Sequence, residues 1–590
     1  MNYSIYINSI SIKENKMVLS VSGEIEDEQI AEDIYSKPKL VLLFDNGKED
    51  RRIPFVISDL GYFGTKCRFS GEYTYMLNML FWKTRAENLP FTLKFALSYG
   101  NYYYDEIKIE DRSPVIEYED EQYALDYSDK KIKFAPCQKQ HSSGGGALAP
   151  IRGAIRFIFY IFMYLLGICL LPLFFVESLL AVCGCARLAV KRSGNVIGDI
   201  IGHLNKRLEQ FSTIKLTVRK INHRMILFFY KLFSIQKVKA NRISFISARR
   251  TDISGNFAFV YEQLKDRDGL DIRFVLNTKT VRQLNLADII KFCHACATSK
   301  VIVLDEFTPQ IHFIDLKPQT KLVQLWHACG AFKTFGFTRL GKPKGSPQPT
   351  RNHRSYDYVT VSSEYCKRCH SEGFGIPYNN VVPTGIPRTD VFFDDNYKQK
   401  VTEEFYSQYP QLRDKKIIMF APTFRGDVKE TSYYPFEMFD VERFCDSIPD
   451  DYALIIKHHP FITKPQPIPE KYKDRVLDLS ASTEINDLLF VTDLIITDYS
   501  SLIFEASLLK IPMLFYVFDL DEYIRNRDFY FDLRLNSPGK LVYDMPQLID
   551  AVNSEDYQSE RMDAFQRMFF DNLDGKSTQR VTNLILNALK

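Results

Sequence analysis

Residues 493–506 read DLIITDYSSLIFEA, and this stretch decides the fold of the second half of the chain. A short apolar run ends in a hydroxyl-rich turn, and a second, mainly apolar run follows it. This order predicts a buried strand that passes through a tight turn into a helix. Backbone N–H groups at the start of such a helix, together with the hydroxyls of Ser500 and Ser501, would form an anion site.

Alternation of strand and helix extends from this stretch in both directions. Two series of short apolar segments are separated by loop and helical segments. Such alternation predicts parallel α/β sheets, whose ligands bind beyond the carboxyl ends of the strands. The break between the series predicts two Rossmann-like domains that face each other across a cleft, at residues 241–400 and 401–590. The segments are 243–247, 272–276, 301–304, 322–325, 416–420, 453–457, 494–497 and 513–516.

Residues 1–136 have a different pattern. Short runs rich in β-branched and aromatic residues, such as 3–7 and 40–44, are separated by turn-forming residues. This spacing predicts an antiparallel β-sandwich, and the lack of clustered catalytic residue types favours a binding or scaffolding role. The Gly/Ser-rich residues 137–150 that follow predict a flexible linker and a domain boundary.

Residues 151–240 are a candidate membrane-associating region. The 20 uncharged residues 157–176 meet the length of one membrane-spanning helix, and the sequence stays largely apolar to residue 186. Residues 187–242 then contain 13 Lys and Arg against two acidic residues. A basic amphipathic stretch beside an apolar anchor is attracted to anionic lipids, which predicts attachment to the cytoplasmic face of the cell membrane. A re-entrant hairpin, a buried soluble helix pair and a solvated helix face are the alternatives.

The bulk composition excludes some classes of function. The chain has 590 residues and a net charge of +3, so bulk electrostatics does not predict nucleic-acid binding. No cleavable signal peptide is expected, because the N-terminal sequence is polar and alternating. Without a signal peptide, the cysteines are expected to be reduced thiols in a cytosol-facing protein. The pair Cys293 and Cys296 lacks a second pair to complete a zinc site, so no metal centre is expected.

Candidate chemistry follows directly after several predicted strands. His327 could act as a general base at neutral pH, and Lys333, six residues later, could neutralise a phosphate. Arg425 offers a planar fork of donors that suits phosphate oxygens. His459 is followed by Pro460, which fixes the chain and would hold the imidazole at the cleft.

The turn within residues 493–506 supplies further candidates. Thr497, Ser500 and Ser501 are interpreted as ligands of the donor diphosphate. Glu505 lies one helical turn beyond Ser501, where its carboxylate could accept hydrogen bonds from ribose hydroxyls, and Asp498 is assigned to the same nucleotide portion.

Each candidate also has a structural interpretation. Ser500 could cap the helix, Arg425 could form a surface ion pair, and Lys457 could be solvated. Coincidence is a poor explanation for four phosphate-compatible motifs at four strand ends. Other histidines lack such a setting, and we interpret them as structural or surface residues: His294, His312, His353 and His370.

Together these motifs resemble the CDP-glycerol glycerophosphotransferase family, the teichoic acid primases and polymerases that include ribitolphosphotransferases. The resemblance covers roughly residues 241–590 and implies a GT-B-type pair of Rossmann-like domains with monotopic attachment to the inner face of the membrane. Its motifs, in order, are the Trp326-His327 loop, Thr384–Asp390, Ala421–Arg425, His459-Pro460, Thr497–Ser501 and Met513–Asp519.

By this resemblance His327 matches the proposed base, and Arg425, His459, Ser500 and Ser501 match the donor's diphosphate site. His459 is therefore a candidate for both catalysis and donor binding.

The loop after the histidine departs from the family pattern. The family commonly has Gly directly after the histidine, whereas here Ala328 and Cys329 precede Gly330. The shape of this loop, and with it the acceptor that fits, is expected to differ. Lys333 and Arg388 are assigned to contacts with the acceptor or with phosphate.

The resemblance and the motifs predict transfer of a polyol phosphate from CDP-glycerol or CDP-ribitol to a lipid-linked teichoic-acid-type polymer. The acceptor hydroxyl, deprotonated by His327, would attack the β-phosphorus and expel CMP, with no obligatory cofactor or metal. A GT-B glycosyltransferase that uses a nucleotide sugar is one alternative, and a non-catalytic membrane scaffold that binds anionic polymer is another. The choice between glycerol and ribitol, the number of units added and the oligomeric state stay open.

Overall fold

A computed structural model gives the fold of most of the chain. It describes residues 2–27, 37–77, 90–99, 102–107, 109–110, 114–119, 123–128, 131–136, 212–342, 345, 350–426, 431–482 and 484–590. The predicted linker at 137–150 and the apolar segment at 157–186 lie outside these residues. No helix within the described ranges is long and apolar enough to cross a membrane.

Two β-sheets occupy the N-terminal part of the chain. One has the strand order β5-β6-β2-β1-β9, and the other has the order β10-β11-β7-β3-β4 with β8 paired to β7. Apolar side chains of both sheets belong to one buried core, which confirms the β-rich N-terminal region. The strands are β1 (Asn2–Lys13), β2 (Lys16–Glu26), β3 (Lys39–Asp45), β4 (Asp50–Pro54), β5 (Asp59–Phe63), β6 (Lys66–Met76), β7 (Phe91–Tyr99), β8 (Tyr102–Ile107), β9 (Val115–Glu119), β10 (Tyr123–Ser128) and β11 (Lys131–Pro136).

The pairing of this region is antiparallel with one exception. β1 pairs with β2 in antiparallel fashion, but its other edge pairs in parallel with β9. A parallel pair needs a long connection between its strands, and almost the whole N-terminal region lies between β1 and β9.

A six-stranded parallel sheet follows, with the order β13-β12-β14-β15-β16-β17. The strand order reverses between β12 and β14, and ligands bind at such a switch point in open α/β sheets. The elements are α1 (Ser212–Phe233), β12 (Lys239–Ser247), α2 (Asn256–Leu264), β13 (Asp271–Leu276), α3 (Leu286–Thr298), β14 (Ser299–Leu304), β15 (Lys321–Gln324), β16 (Tyr358–Thr360), α4 (Glu364–Phe374), β17 (Val381–Val382) and α5 (Asp395–Gln408).

A second six-stranded parallel sheet has the order β20-β19-β18-β21-β22-β23, the 3-2-1-4-5-6 order of a Rossmann domain. The α/β fold predicted for this half is therefore confirmed. The elements are β18 (Lys416–Ala421), α6 (Val441–Ser447), β19 (Tyr452–Ile456), β20 (Val476–Asp478), α7 (Ile485–Leu488), β21 (Leu494–Thr497), α8 (Leu502–Leu508), β22 (Met513–Tyr516), α9 (Leu520–Arg527), α10 (Leu533–Asn536), β23 (Lys540–Val542), α11 (Met545–Asn553), α12 (Met562–Phe569) and α13 (Ser577–Leu589).

The C-terminal helix connects the two parallel sheets. Val581 and Ile585 of α13 pack in the same buried cluster as Ile243 and Phe245 of β12. The last helix of the chain follows the second parallel sheet in sequence but packs on the first one, and it therefore links the two Rossmann-like units.

The N-terminal sheets are docked onto both halves by an ion cluster around Asp528. Lys39 of β3 lies 3.4 Å from the Asp528 carboxylate and donates to the Phe529 carbonyl at 3.0 Å, and Lys342 also pairs with Asp528. Burial alone would raise the pKa of Asp528, but the two ammonium groups lower it to about 2. The cluster therefore stabilises the loop after α9.

Asp528→Asn is expected to lower the free energy of unfolding by about 1–2 kcal/mol, since both lysines are partly exposed and screened by solvent. The native pKa lies below the unfolded value, so this stabilisation is present above about pH 4 and is lost as the pH falls towards 2. Urea unfolding at pH 7 and pH 3 measures it. Equal destabilisation of the variant at both pH values would contradict this account.

Candidate active site

A carboxylate and an imidazole meet at the ends of two neighbouring strands. Glu306 follows β14 and His327 follows β15, and the Glu306 Oε2 atom lies 3.1 Å from the His327 Nδ1 atom. His327 is 47% exposed. A carboxylate at Nδ1 favours the tautomer with its proton on that nitrogen, which leaves Nε2 to accept a proton. The pair therefore has the arrangement of an oriented general base.

The loop that carries His327 is held by Asn256 at the start of α2. The Asn256 Nδ2 group donates to the Trp326 carbonyl at 2.7 Å, and its Oδ1 atom accepts from the Arg388 backbone N–H at 3.0 Å. Trp326 has a φ of +59°, a left-handed conformation that is strained for an aromatic residue. The buried amide of Asn256 thus fixes the backbone from which the imidazole projects.

Arg388 connects the base to the second parallel sheet. Its Nη2 group donates to the His327 carbonyl at 3.1 Å and also to the Glu505 carboxylate in α8. Gly330 has a φ of +69°, and a Cβ atom there would lie 2.4 Å from the Phe504 ring. The loop after β15 is therefore seated against α8, next to the turn at residues 497–501.

Lys333 lies between the loop after β15 and the second Rossmann-like unit, near the guanidinium groups of Arg425 and Arg527. Its backbone pairs with Phe529, and its Nζ atom lies 5.6 Å from the centroid of the Tyr523 ring. Burial lowers the pKa of Lys333 to about 8; the Asp498 carboxylate opposes this shift, and Arg527 and Arg425 add to it. A partly buried ammonium among guanidinium groups favours an anionic ligand.

Arg425 is enclosed by two carboxylates. Its Nη1 group lies 2.8 Å from Asp498, and its Nε and Nη2 groups donate to Asp519 at 2.7 and 2.9 Å. Although burial alone would lower it, these carboxylates raise the pKa of Arg425. Asp498 also accepts from the backbone N–H groups of Thr423 and Tyr499. The structure thus places Arg425 and Asp498 in a buried network, and their contacts with the donor stay predictions.

Glu505 is likewise buried, and its carboxylate is engaged by Arg388. The predicted contact with ribose therefore competes with an existing ion pair, because the helix faces the loop after β15 and not open solvent. Thr497 is buried and donates to the Ala421 carbonyl at 2.7 Å, which makes it a link between β21 and β18. Tertiary packing, which the local pattern does not contain, accounts for both contacts.

Ser500, Ser501 and His459 are the remaining candidates for contact with the donor diphosphate. The Ser500 Oγ atom accepts from the Leu502 N–H at 3.3 Å, while Ser501 makes no side-chain cap to α8. The His459 Nδ1 atom accepts from the Phe461 N–H at 3.1 Å. Burial lowers the pKa of His459 to about 4, and the neighbouring Lys333 also lowers it. A neutral ring with this hydrogen bond carries its proton on Nε2 and can donate to a phosphate oxygen.

Sequence reasoning missed Asn256 and Glu306, and it assigned no role to Asp519, the last residue of the Met513–Asp519 motif. Glu306 could have been found, because it comes two residues after the strand segment 301–304, at the same strand-end position that identified the other candidates. Asp519 lies 94 residues from Arg425, and only the tertiary structure brings the two together.

Glu306→Gln is expected to lower kcat by roughly ten- to a hundredfold, a part of the 10²–10⁴ that a positioned base contributes. The amide no longer favours the proton on His327 Nδ1, while the donor site is untouched, so KM for the donor should stay within about twofold. Steady-state assays measure both constants. Glu262→Gln, an exposed carboxylate on α2, is the matched control. Full activity of Glu306→Gln would remove the carboxylate from this role.

Comparisons with known proteins agree with this architecture. The model of a family described as CDP-glycerol:poly(glycerophosphate) glycerophosphotransferase matches residues 228–587. The chain is 44% identical over 370 residues to a teichoic acid poly(ribitol-phosphate) polymerase of Bacillus spizizenii, in a match that covers 62% of this chain and 60% of that protein. It is 40% identical to the teichoic acid ribitol-phosphate polymerase TarK of Staphylococcus aureus, over 60% of this chain and 70% of that protein.

The fold also resembles a solved structure. The wall teichoic acid polymerase TagF superposes with a TM-score of 0.51 at 22% identity, covering 66% of this chain and 98% of that one. At this identity the likeness concerns the fold alone. The chain spans about 60% of the length of the Bacillus polymerase described above.

Proposed function

Because the chain belongs to the CDP-glycerol:poly(glycerophosphate) glycerophosphotransferase family, we propose that it transfers a polyol phosphate from a CDP-polyol to a teichoic-acid-type polymer and releases CMP. Ribitol is the proposed polyol, since both relatives described above are named as ribitol-phosphate polymerases. Repeated addition of units, as in those polymerases, is part of the proposal.

The proposed reaction is an in-line displacement at the β-phosphorus of the donor. The proton of the terminal acceptor hydroxyl moves to His327 Nε2, the acceptor oxygen bonds to phosphorus, and the bond from that phosphorus to the bridging oxygen breaks. CMP leaves with that oxygen and the bonding electrons. Lys333 and the Nε2–H group of His459 would stabilise the charge that gathers on the phosphoryl oxygens. The expectation that no metal is obligatory stays a prediction, which activity in the presence of EDTA tests.

One observation carries this proposal: the loop after β15 reaches from the first parallel sheet to the second. It carries His327, which Glu306 contacts from the loop after β14, at one end and Lys333 at the other, and Arg388 links the His327 carbonyl to α8. An oriented base and a partly buried cation at one interface suit a hydroxyl nucleophile and a phosphorylated donor.

A donor panel tests the proposal. The full chain is incubated with lipid-linked acceptor and, separately, CDP-ribitol, CDP-glycerol and UDP-sugars, and CMP release and product length are measured. CMP release with CDP-ribitol and products of increasing length are expected. Turnover with a UDP-sugar alone would favour a GT-B glycosyltransferase. Salt-sensitive binding of polymer without turnover of any donor would favour a scaffold.

We also propose that the enzyme works at the cytoplasmic face of the membrane, attached through residues 157–186 and the basic stretch 187–242. The described part of this stretch supports the idea, since Phe228 and Leu232 near the end of α1 are 38% and 46% exposed, and Ile235, two residues beyond the helix, is 83% exposed. Apolar side chains beside lysines and arginines are typical of interfacial helices.

Replacing Phe228, Leu232 and Ile235 with Ser is expected to weaken binding to vesicles that contain anionic lipid by on the order of tenfold or more. Sedimentation with phosphatidylglycerol vesicles measures the change. Leu573→Ser, at a residue that is also 46% exposed, is the control. Unchanged sedimentation of the triple variant would exclude this surface as the membrane contact.

A further inference from the structure

A basic pocket lies beside Glu306, at the carboxyl ends of β12, β13 and β14. Its volume is about 230 Å³, roughly eight times the ~30 Å³ that one water occupies in the liquid. Arg219 of α1 lines one side of the pocket. Arg249, Lys279 and Arg282 line the other side, and they lie on the loops that follow β12 and β13. No acidic side chain of the described residues lines it, so its four basic side chains give the pocket a net positive charge.

Three of the four cations are available to a ligand. Lys279 pairs with Asp288 at 2.6 Å. The structure gives Arg219, Arg249 and Arg282 no carboxylate partner within the described ranges, and all three are exposed. Unpaired guanidinium groups around a concave site suit a phosphate, to which each can donate two hydrogen bonds. The pocket also lies at the edge of the switch point between β12 and β14, where α/β sheets bind ligands.

The pocket and the base share one wall. Glu306 holds the His327 imidazole, and the next residue, Phe307, lines the pocket with Pro309 and Gln310. Glu306 and Phe307 are consecutive residues with Cα atoms about 3.8 Å apart, so the wall of the pocket begins one residue from the carboxylate that holds the general base. On the other side, Arg219 belongs to the helix whose end carries the exposed apolar residues described above. The pocket therefore lies between the proposed membrane contact and Glu306, the partner of the general base.

We propose that this pocket binds an internal phosphodiester of the acceptor polymer and thereby places the terminal polyol hydroxyl at His327. The inference rests on the proposed function, and it names the feature of the acceptor that the enzyme recognises. A phosphodiester that precedes the terminal unit is separated from the reacting hydroxyl by a single polyol, which matches a pocket that adjoins the base. An acceptor with such a phosphodiester binds more tightly than one without it.

A polymer phosphate fits the observations better than a lipid headgroup does. The site is concave, and its wall of Phe307, Pro309 and Gln310 follows Glu306 directly in the chain, whereas a bilayer presents a broad surface. The exposed apolar side chains that would enter a bilayer lie towards the end of α1, several turns from Arg219.

Direct binding to the full chain tests the proposal without requiring turnover. The probes are fluorescently labelled poly(ribitol phosphate), inorganic phosphate and phosphatidylglycerol vesicles. Arg249→Gln combined with Arg282→Gln is compared with the wild type and with Arg267→Gln, an exposed arginine on the same domain that donates to the Gln263 carbonyl. Exposed arginines contribute little to folding, so the double variant should unfold as the wild type does.

The double variant is expected to raise Kd for poly(ribitol phosphate) by about tenfold, as the loss of two partly screened charge contacts predicts. KM for the CDP-polyol should not change, and the control should bind as the wild type does. Unchanged Kd for the polymer would overturn the proposal. A loss confined to vesicle binding would assign the pocket to the membrane and overturn it as well. If no CDP-polyol is turned over but polymer binding still depends on both arginines, the proposed function fails while the pocket's ligand stands.

Discussion

His327→Gln is expected to lower kcat by about 10²- to 10⁴-fold, the usual contribution of a positioned general base. The amide cannot take the hydroxyl proton, and it cannot be rescued by Glu306, whose carboxylate faces the Nδ1 side of the ring. KM for the donor should change little, because Lys333 and His459, the residues assigned to the donor phosphates, are left intact. CMP release in steady state, with acceptor saturating, measures the effect.

Two comparisons keep this result interpretable. His294→Gln removes a histidine of α3 whose ring packs against Phe233, and it should leave kcat within about twofold. Near-normal CMP release by folded His327→Gln would exclude the imidazole as the base, whatever the fate of Glu306→Gln. Equal loss in both histidine variants would indicate a general effect on folding.

The strands of the two parallel sheets could be predicted from the sequence because they are buried on both faces. Such strands have continuous runs of apolar residues, as at Ile417–Phe420 within β18 and at Leu494–Ile496 within β21, and a single sequence shows these runs. The short edge strands β17, β20 and β23 have two or three residues each, too few to show a periodicity. The parallel pairing of β9 with β1 depends on contacts about a hundred residues apart, which no local pattern encodes.

Part of the candidate site could also be predicted from local sequence, and part of it depends on tertiary contacts. The strand-end rule found His327, Lys333 and His459, whose positions follow from local sequence. It could not give the partners of Arg425 or Glu505. Asp519 reaches Arg425 only once the second parallel sheet has formed, and Arg388 reaches Glu505 only after the two Rossmann-like units have packed. A sequence can therefore show which side chains lie at the carboxyl edge of a sheet, but the ion pairs among them are decided by tertiary structure.

Lys333→Met is expected to lower kcat/KM for the CDP-polyol by about 10²- to 10³-fold, the usual cost of losing one preorganised donor to a developing oxyanion. The same variant should be no less stable than the wild type. Because the native pKa of about 8 lies below that of an ordinary lysine, the charged form disfavours the folded state at pH 7. Removing it should raise the free energy of unfolding by about 1–2 kcal/mol.

The pH dependence separates Lys333 from a merely structural residue. kcat/KM reports on the free enzyme, and the ammonium loses its proton as the pH rises through about 8, so the wild-type value should fall in that range. Lys333→Arg keeps a positive charge at every accessible pH, and its profile should lack this alkaline decline even if its activity is lower. Lys510→Met, at a lysine paired with Asp563 on the surface, is the control and should keep the wild-type profile. A wild-type profile that stays flat to pH 9.5, or an alkaline decline that persists in Lys333→Arg, would show that another group titrates, and Lys333 would then have no part in holding the donor phosphates.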